Sequence, residues 1–265
     1  MSIPYLLVCP VGSIDLKSAW SESEYQNHWR TNTQSQYKIL VYRYNPQFVL
    51  EKTEYHEIID HIGLKFDHIT HFLNNELDKY KDVRYIGFPD EDLYLSQQDL
   101  VNACEYAFER NIELFQISVD DNSRWHFGLF KHDSTIEYTI NSGVEIMWPF
   151  MTYDIALKLR DYCNYVKPKH GWASDYIFEH TLGVKGYVLH NWKMIHPFAK
   201  QSYNTEEAHS EYVRVASVDA PKYLKEKFDI DYNFDGNWKT YSTKYKNGRI
   251  ENNNIIYEGW PPINW

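Results

Sequence analysis

Up to about residue 120, short apolar runs alternate with helix-periodic segments, and this constrains the fold more than any other feature of the chain. PYLLVC (4–9) reads as a buried strand that meets a loop at Pro10 and Gly12. KILVYRY (38–44) is a second strand, closed by Asn45-Pro46. FDHITHFLNNEL sets Phe66, Ile69, Leu73 and Leu77 at helical spacing, and VRYIGF (83–88) is the next strand. Ser96 with Asp99 three residues on resembles a capping box, opening a helix to about Arg110 that buries Leu100, Cys104 and Phe108. ELFQISV (113–119) follows as a strand. The expectation is an α/β protein with a mostly parallel sheet flanked by helices.

The middle of the chain changes character. WHFGLF, STIEYTI and GVEIMWPF are strand-like, and Asn141-Ser142-Gly143 supplies turn chemistry, so an antiparallel addition to the sheet is expected. Helices are expected at 152–165 and at 172–182, the second stopped by Gly183, with a late strand VKGYVLH (184–190). Beyond residue 200 the chain turns more polar. APKYLKEKF reads as a short helix started by Pro221, and Asn247-Gly248 is a hairpin signal. The simplest organisation is one domain over 1–200, with a C-terminal helix and hairpin extension over 201–265 packed on it.

With 265 residues, 43% hydrophobic and 24% charged, the chain has the composition of a soluble globular domain. No apolar stretch approaches the roughly 20 residues needed to span a bilayer. The opening MSIPYLLVCPVG lacks the basic start and small-residue cleavage pattern of a signal peptide. Cys9, Cys104 and Cys163 are odd in number, far apart and without zinc spacing, which suits free thiols in a reducing compartment. The expected location is cytoplasmic, host cytoplasm if the gene is viral. A net charge of −10 disfavours nonspecific attraction to nucleic acid or anionic membrane. The 23 Tyr and 9 Trp offer faces for sugar rings and bases, although core packing accounts for most of them.

The stretch YIGFPDEDLYLSQQDL crowds Asp90, Glu91 and Asp92 at the end of an apolar strand. Like charges this close repel, and each resists leaving water. An Asp-x-Asp pair at the carboxyl end of a strand can offer hard oxygen ligands to Mg²⁺ or Mn²⁺, whose charge offsets the repulsion. A bare Asp-x-Asp is more often a solvated turn, so its flanks matter.

Those flanks are YLLVCPVGSIDLKSAW, YKILVYRYN, GLKFDHITHFL, LFQISV, GVEIMWPFMTYDIALKL, GWASDYIFEHTLG and VKGYVLHNWKMIHP. In this order, around the acidic turn, they resemble a family of GT-A-like glycosyltransferases over about residues 4–198. The resemblance implies a Rossmann-type nucleotide-diphospho-sugar transferase fold. It also implies a nucleotide-sugar donor, with UDP the expected nucleotide, bound through Mn²⁺ or Mg²⁺. It makes Asp92 the first metal ligand and Asp90 the second, with His196 completing the set and His190 competing for that place. Glu91 belongs to the same motif. Lys65 matches a basic position that could meet the diphosphate. Tyr42, Tyr44 and Asn45 could hold a base or ribose, and Asn45 stands where the family has glycine. Gly12 and Asp15 follow the first strand and could line the nucleotide pocket. Trp148 and Trp172 could form a sugar platform. Asp175 and Glu145 are the candidate bases, and the family's Trp-Gly-x-Asp becomes Trp172-Ala173-Ser174-Asp175 here.

Each of these residues also has an ordinary structural reading: a surface lysine, a core aromatic, a first-turn acid favoured by the helix macrodipole. The acceptor stays open between a glycan or lipid-linked sugar and a hydroxymethylated base in phage DNA. For DNA, Lys158, Arg160, Lys167, Lys169 and His170, or Lys239, Lys244, Lys246 and Arg249, would have to contact phosphates. A non-catalytic sugar- or nucleotide-binding module and a metal-dependent phosphohydrolase are the alternative functions. The chain has no P-loop, no GxGxxG and no serine nucleophile elbow.

Overall fold

The computed structural model describes residues 3–33, 35–50, 53–121, 123, 128–171, 173–175, 178–196, 206–233 and 237–257. The elements run β1 (Tyr5–Val11), α1 (Leu16–Ala19), α2 (Glu22–Asn27), β2 (Tyr37–Arg43), β3 (His56–Asp60), α3 (Lys65–Asn75), β4 (Tyr85–Gly87), α4 (Gln97–Glu109) and β5 (Leu114–Val119). They continue with β6 (Ile136–Asn141), β7 (Phe150–Met151), α5 (Tyr153–Val166), α6 (Phe178–Leu182), β8 (Gly186–Met194), α7 (Glu206–Arg214), α8 (Ala220–Phe228), β9 (Trp238–Tyr245) and β10 (Ile250–Tyr257). The α/β class read from the alternation is the class observed.

One ten-stranded sheet has the order β10-β9-β6-β8-β5-β7-β4-β1-β2-β3. It is mixed rather than mostly parallel. Four neighbouring pairs are parallel (β1 with β2 and β4, β2 with β3, β5 with β8) and five are antiparallel. Three of the antiparallel pairs involve β6, β9 and β10, and the other two involve β7, a two-residue strand that runs backwards between β4 and β5. Because it opposes both neighbours, β4 and β5 still point the same way. Six strands, β1 to β5 and β8, therefore deliver their carboxyl ends to one edge. GVEIMWPF reads in sequence as a full strand, but only its last residue pairs in the sheet; the rest arrives as irregular chain.

Helix ends follow their sequence signals. The Ser96 hydroxyl accepts from the Asp99 amide at 3.0 Å and starts α4, Pro221 lies in the first turn of α8, and Gly183 stops α6 at φ +69°. The Asn247-Gly248 turn, with Gly248 at φ +88°, closes the β9–β10 hairpin, which extends the main sheet beside β6. α3 packs beside α5, α5 beside α6 and α8, and α4 against β8. The Phe108 ring, expected inside, is about half exposed under the Arg84 guanidinium. Gly128–Phe130, within the expected strand WHFGLF, is a short 3₁₀ turn, and residues 125–127 of that stretch lie outside the described residues. The three cysteines are buried and free. Among the described residues no helix is long and apolar enough to cross a membrane.

Candidate active site

Three backbone links bring distant segments to the carboxyl edge of the sheet. Beyond β4 the chain stays paired with the approach to β7, the Phe88 amide donating to the Pro149 carbonyl and the Asp90 amide to the Met147 carbonyl, each at 3.0 Å. That sets the 145–147 stretch beside the acidic turn. Tyr94 and Ile195 exchange amide–carbonyl bonds of 2.8 and 2.9 Å, which brings the chain leaving β8 against the same turn. Trp29 donates its amide to the Leu95 carbonyl at 3.0 Å, holding the segment after α2 on the other side.

The three acids of the turn have separate fates. The Asp92 carboxylate meets His196 Nε2 at 3.0 Å. The Asp90 carboxylate accepts from Lys65 Nζ at 2.7 Å, and the same ammonium caps the carbonyls of Ile146 and, at 3.0 Å, Met147. Lys65 thus spends its donors inside the protein. Glu91 turns the other way and closes a concave run of backbone amides after β1. Its Oε2 accepts from Gly12, Ser13 and Ile14 at 3.0, 3.2 and 3.2 Å, and its Oε1 accepts from the Ser13 hydroxyl at 2.6 Å and from the Tyr44 hydroxyl. Arg30, buried, clamps the same junction by donating to the carbonyls of Glu91 at 2.9 Å and Ile14 at 3.3 Å.

Around Asp92 and His196 sits a group of ionisable side chains close enough to feel one another. Burial works against a charged His196 ring, but the hydrogen bond to Asp92 and the charges of Asp92, Asp90 and Glu145 outweigh it and raise its pKa. Burial raises the Asp90 carboxyl, Lys65 opposes the shift and Asp92 adds to it, leaving Asp90 above its ordinary value. Glu145 is pushed up to about 8, first by burial and then by the Asp175 carboxylate. One Glu145 oxygen is buried with no hydrogen-bond partner, while its amide donates to the Gln116 side chain at 2.6 Å. Asp175 is itself buried, on a backbone turn whose Ser174 amide donates to the Gly171 carbonyl at 3.0 Å. Ala173 in that turn has φ +68°, a conformation that favours glycine, and it stands where the resembling family has one.

Several sequence candidates fall elsewhere. Tyr42 is fully buried, its hydroxyl 3.0 Å from His71 Nδ1, and Trp148 is buried between Trp29 and Phe150. Neither presents a face to a ligand, because each side chain is turned into the core. His190 lies at a bulge: Ile117 pairs with Leu189 but Ser118 with Lys193, so residues 190–192 leave the ladder. Its Nδ1 accepts from the Asp133 amide at 3.1 Å and its ring faces His132, away from the acidic turn. Tyr44 packs flat against Gly12, where a Cβ would come within 2.6 Å of the ring. Asn45 donates to the Gly12 carbonyl at 3.3 Å, and Asp15 caps α1. Gly12, Tyr44, Asn45 and Glu91 therefore form one cluster at the ends of β1 and β2. Trp172 lies outside the described residues.

The two basic runs are largely drawn into local pairs. Lys158 donates to the Leu182 carbonyl, Arg160 faces Asp78, Lys169 faces Glu207, His170 meets Glu211, Lys244 meets Glu137 and Arg249 meets Glu251. Residues not singled out in the sequence are Arg30, Ser13, Gln116 and Glu211. Gln116 alone carried a signal, a polar residue inside the apolar run LFQISV.

A divalent cation fits the chemistry present at Asp92 and His196. Carboxylate oxygen and imidazole are good Mn²⁺ donors, and Asp90, Asp92 and Glu145 lie close enough to His196 to raise its pKa, with Asp175 next to Glu145. As the side chains stand, no three acid, histidine or cysteine groups among the described residues converge closely enough to hold an ion.

No family model and no curated protein matches the sequence. Among solved structures the chain is similar to A197 from STIV, at 15% identity over 76% of this chain and 98% of that one, with a TM-score of 0.38. It is also similar to S. aureus TarS 1-349, at 13% identity over 85% of this chain and 76% of that one, with a TM-score of 0.46. The same TarS fragment in complex with UDP-GlcNAc gives 13% identity, 84% and 76% coverage and a TM-score of 0.43. Likeness at this level leaves the chemistry to be argued from the residues themselves.

Proposed function

We propose that this chain is a metal-dependent glycosyltransferase that moves a sugar from a nucleoside-diphosphate donor, with UDP the expected nucleotide, to an acceptor hydroxyl. The observation that carries the proposal is the meeting of Asp92 with His196 beside Glu145 and Asp175, at the edge where six strands end. Asp92 and His196 would hold Mn²⁺ or Mg²⁺, with Asp90 next to them. When bound, the ion would supply Lewis-acid stabilisation of the departing diphosphate.

The remaining roles fall to the chain's own groups. The acceptor oxygen bonds to the anomeric carbon as the carbon–oxygen bond to the diphosphate breaks, and the hydroxyl proton must go to a base. In the metal-free protein burial pushes the Glu145 carboxyl up to about 8, so near neutrality it is mostly protonated and has a proton to offer a ligand oxygen. We assign the base to Asp175, buried next to Glu145. Lys65 keeps Asp90 from repelling Asp92, and the Glu91 clasp on the 12–14 amides ties the loop after β1 to the acidic turn. Gly12, Tyr44 and Asn45 form the wall beside that clasp, where a nucleoside would lie.

The test is UDP release from a panel of UDP-sugars with Mn²⁺, using water, simple sugars and hydroxymethylated oligonucleotides as acceptors. The reading expects release with at least one donor, abolished by chelation and by Asp92→Ala. Metal-dependent binding without any release would instead make the chain a binding module. Phosphate release from simple esters, unaffected by UDP, would make it a phosphohydrolase.

A further inference from the structure

We propose that Glu211, on α7, is a positioning residue for Asp175. It clamps the backbone of residues 169–171 and so fixes the turn that presents Asp175 to the site. The proposal rests on the reading of Asp175 as the base.

The Glu211 carboxylate is buried and fully engaged. Its Oε1 accepts from the amides of Lys169, His170 and Gly171 at 2.9, 2.8 and 3.2 Å, and its Oε2 lies 3.1 Å from His170 Nδ1, which donates to it. Three successive amides pointing at one oxygen form an anion-binding concavity, and its occupant here is a side chain from a different element. One turn further along α7, Arg214 donates to the Val166 carbonyl at 3.1 Å, so α7 grips the chain at the end of α5 as well.

The loop needs such a grip. Lys167, Gly171 and Ala173 all have positive φ, at +53°, +81° and +68°, conformations that cost non-glycine residues energy and persist only when their surroundings hold them. Two neutral bonds help: the Phe66 amide donates to the Lys169 carbonyl at 3.0 Å, and Ser174 Oγ lies 3.0 Å from the Tyr162 hydroxyl. Glu211 is the buried carboxylate among these holds, and it takes three of the loop's amides. Without it, the three amides and the His170 ring lose their partner in a buried place. Glu91 does the same for the loop after β1, so two loops of the site are each closed by a carboxylate reaching in from elsewhere. Glu211 lies beyond the stretch that resembles the glycosyltransferase family, which gives the C-terminal extension a part in the site.

The experiment follows the Glu145 carboxyl carbon by NMR against pH in metal-free ¹³C-labelled protein, because Glu145 senses the Asp175 charge. Asp175→Asn should lower the Glu145 midpoint by about half a unit or more. Glu211→Ala should lower it in the same direction by letting Asp175 move away. Glu211→Gln, which keeps an oxygen for the three amides, should leave it in place. If Glu211→Ala does not fold, Glu211→Asp, whose carboxylate falls one methylene short, takes its part. A Glu145 midpoint that shifts in Asp175→Asn but not in Glu211→Ala or Glu211→Asp overturns the proposal, and so does one that shifts in none of them. Turnover tests the other reading separately. An Asp175→Asn enzyme with wild-type transfer would remove Asp175 as the base, while the carboxyl titration would still report the clamp.

Discussion

His196 Nε2 lies 3.0 Å from Asp92 Oδ2, across 104 residues of sequence, because Tyr94 and Ile195 bridge just behind them. The pair answers the question raised by three crowded acids: each acid has its own positive or donor-rich partner. Asp92 has the imidazole, Asp90 the Lys65 ammonium and Glu91 three backbone amides with two hydroxyls.

That pairing sets the titration of His196. In metal-free protein its ring should titrate above the ordinary value of 6.5. In Asp92→Asn the hydrogen-bonded charge is gone and burial dominates, so the midpoint should drop by about a unit or more. ¹H–¹⁵N NMR of the imidazole reads both. A Mn²⁺ ion held by this pair would compete with the same proton, so its apparent affinity should weaken as pH falls through the His196 midpoint.

Glu145 makes stability depend on pH in an unusual direction. Its carboxyl releases a proton near 4.5 in the unfolded chain but at about 8 in the folded one. Between these values the unfolded state binds fewer protons, so raising pH favours unfolding. The Glu145 contribution is fully present below about 4.5 and is lost as pH rises to about 8. Urea denaturation at stepped pH should give a falling contribution across this window, and Glu145→Gln should remove it.

Lys65 is predicted to matter for the fold of the turn before any ligand arrives. Lys65→Met leaves Asp90 without its cation and two carbonyls without their donor, and should cost about 1 to 3 kcal/mol by chemical denaturation. Asp90 is about one-third exposed, so water takes up part of the loss, which keeps the expected figure toward the lower end. Lys65→Met with Asp90→Asn should recover part of it, since no charge is then stranded.

Ala173 gives a prediction of the opposite sign. A left-handed alanine costs about 1 to 2 kcal/mol relative to a conformation it prefers, and glycine brings back part of that as chain entropy. Ala173→Gly should therefore stabilise the protein by about 0.5 to 1 kcal/mol in urea melts. A loss of stability would mean that the methyl group earns its place through packing.

Much of this was legible in the sequence wherever local pattern and final environment agree. PYLLVC, KILVYRY and ELFQISV became strands because continuous apolar runs suit a sheet covered on both faces, and Ser96, Gly183 and Gly248 marked ends through backbone chemistry that acts over a few residues. The acidic turn and His196 were found together because each lies at the end of a recognisable strand. What was missed depends on direction or distance. Tyr42 sits at a strand end but its ring turns inward, and sequence position does not fix that. β3 (HEIID) is too short and charged to stand out from its neighbours, and β7 pairs with β4 and β5 over only two residues, too few to leave a pattern. The bulge at 190–192, which sets His190 against His132 while His196 meets Asp92, appears only in the register against β5. The carboxylates of Glu91 and Glu211 find their amides across 77 and 40 residues.

The central claim is that a divalent ion at Asp92 and His196 joins the protein to a nucleoside diphosphate. Thermal unfolding of the intact chain with UDP, with Mn²⁺ and with both, in wild type and Asp92→Ala, tests it most directly. The account predicts that UDP raises the melting temperature of the wild type only when Mn²⁺ is present, and that Asp92→Ala loses this metal-dependent increment. An increment of full size in Asp92→Ala, or UDP stabilisation of the wild type that is indifferent to Mn²⁺, would contradict it.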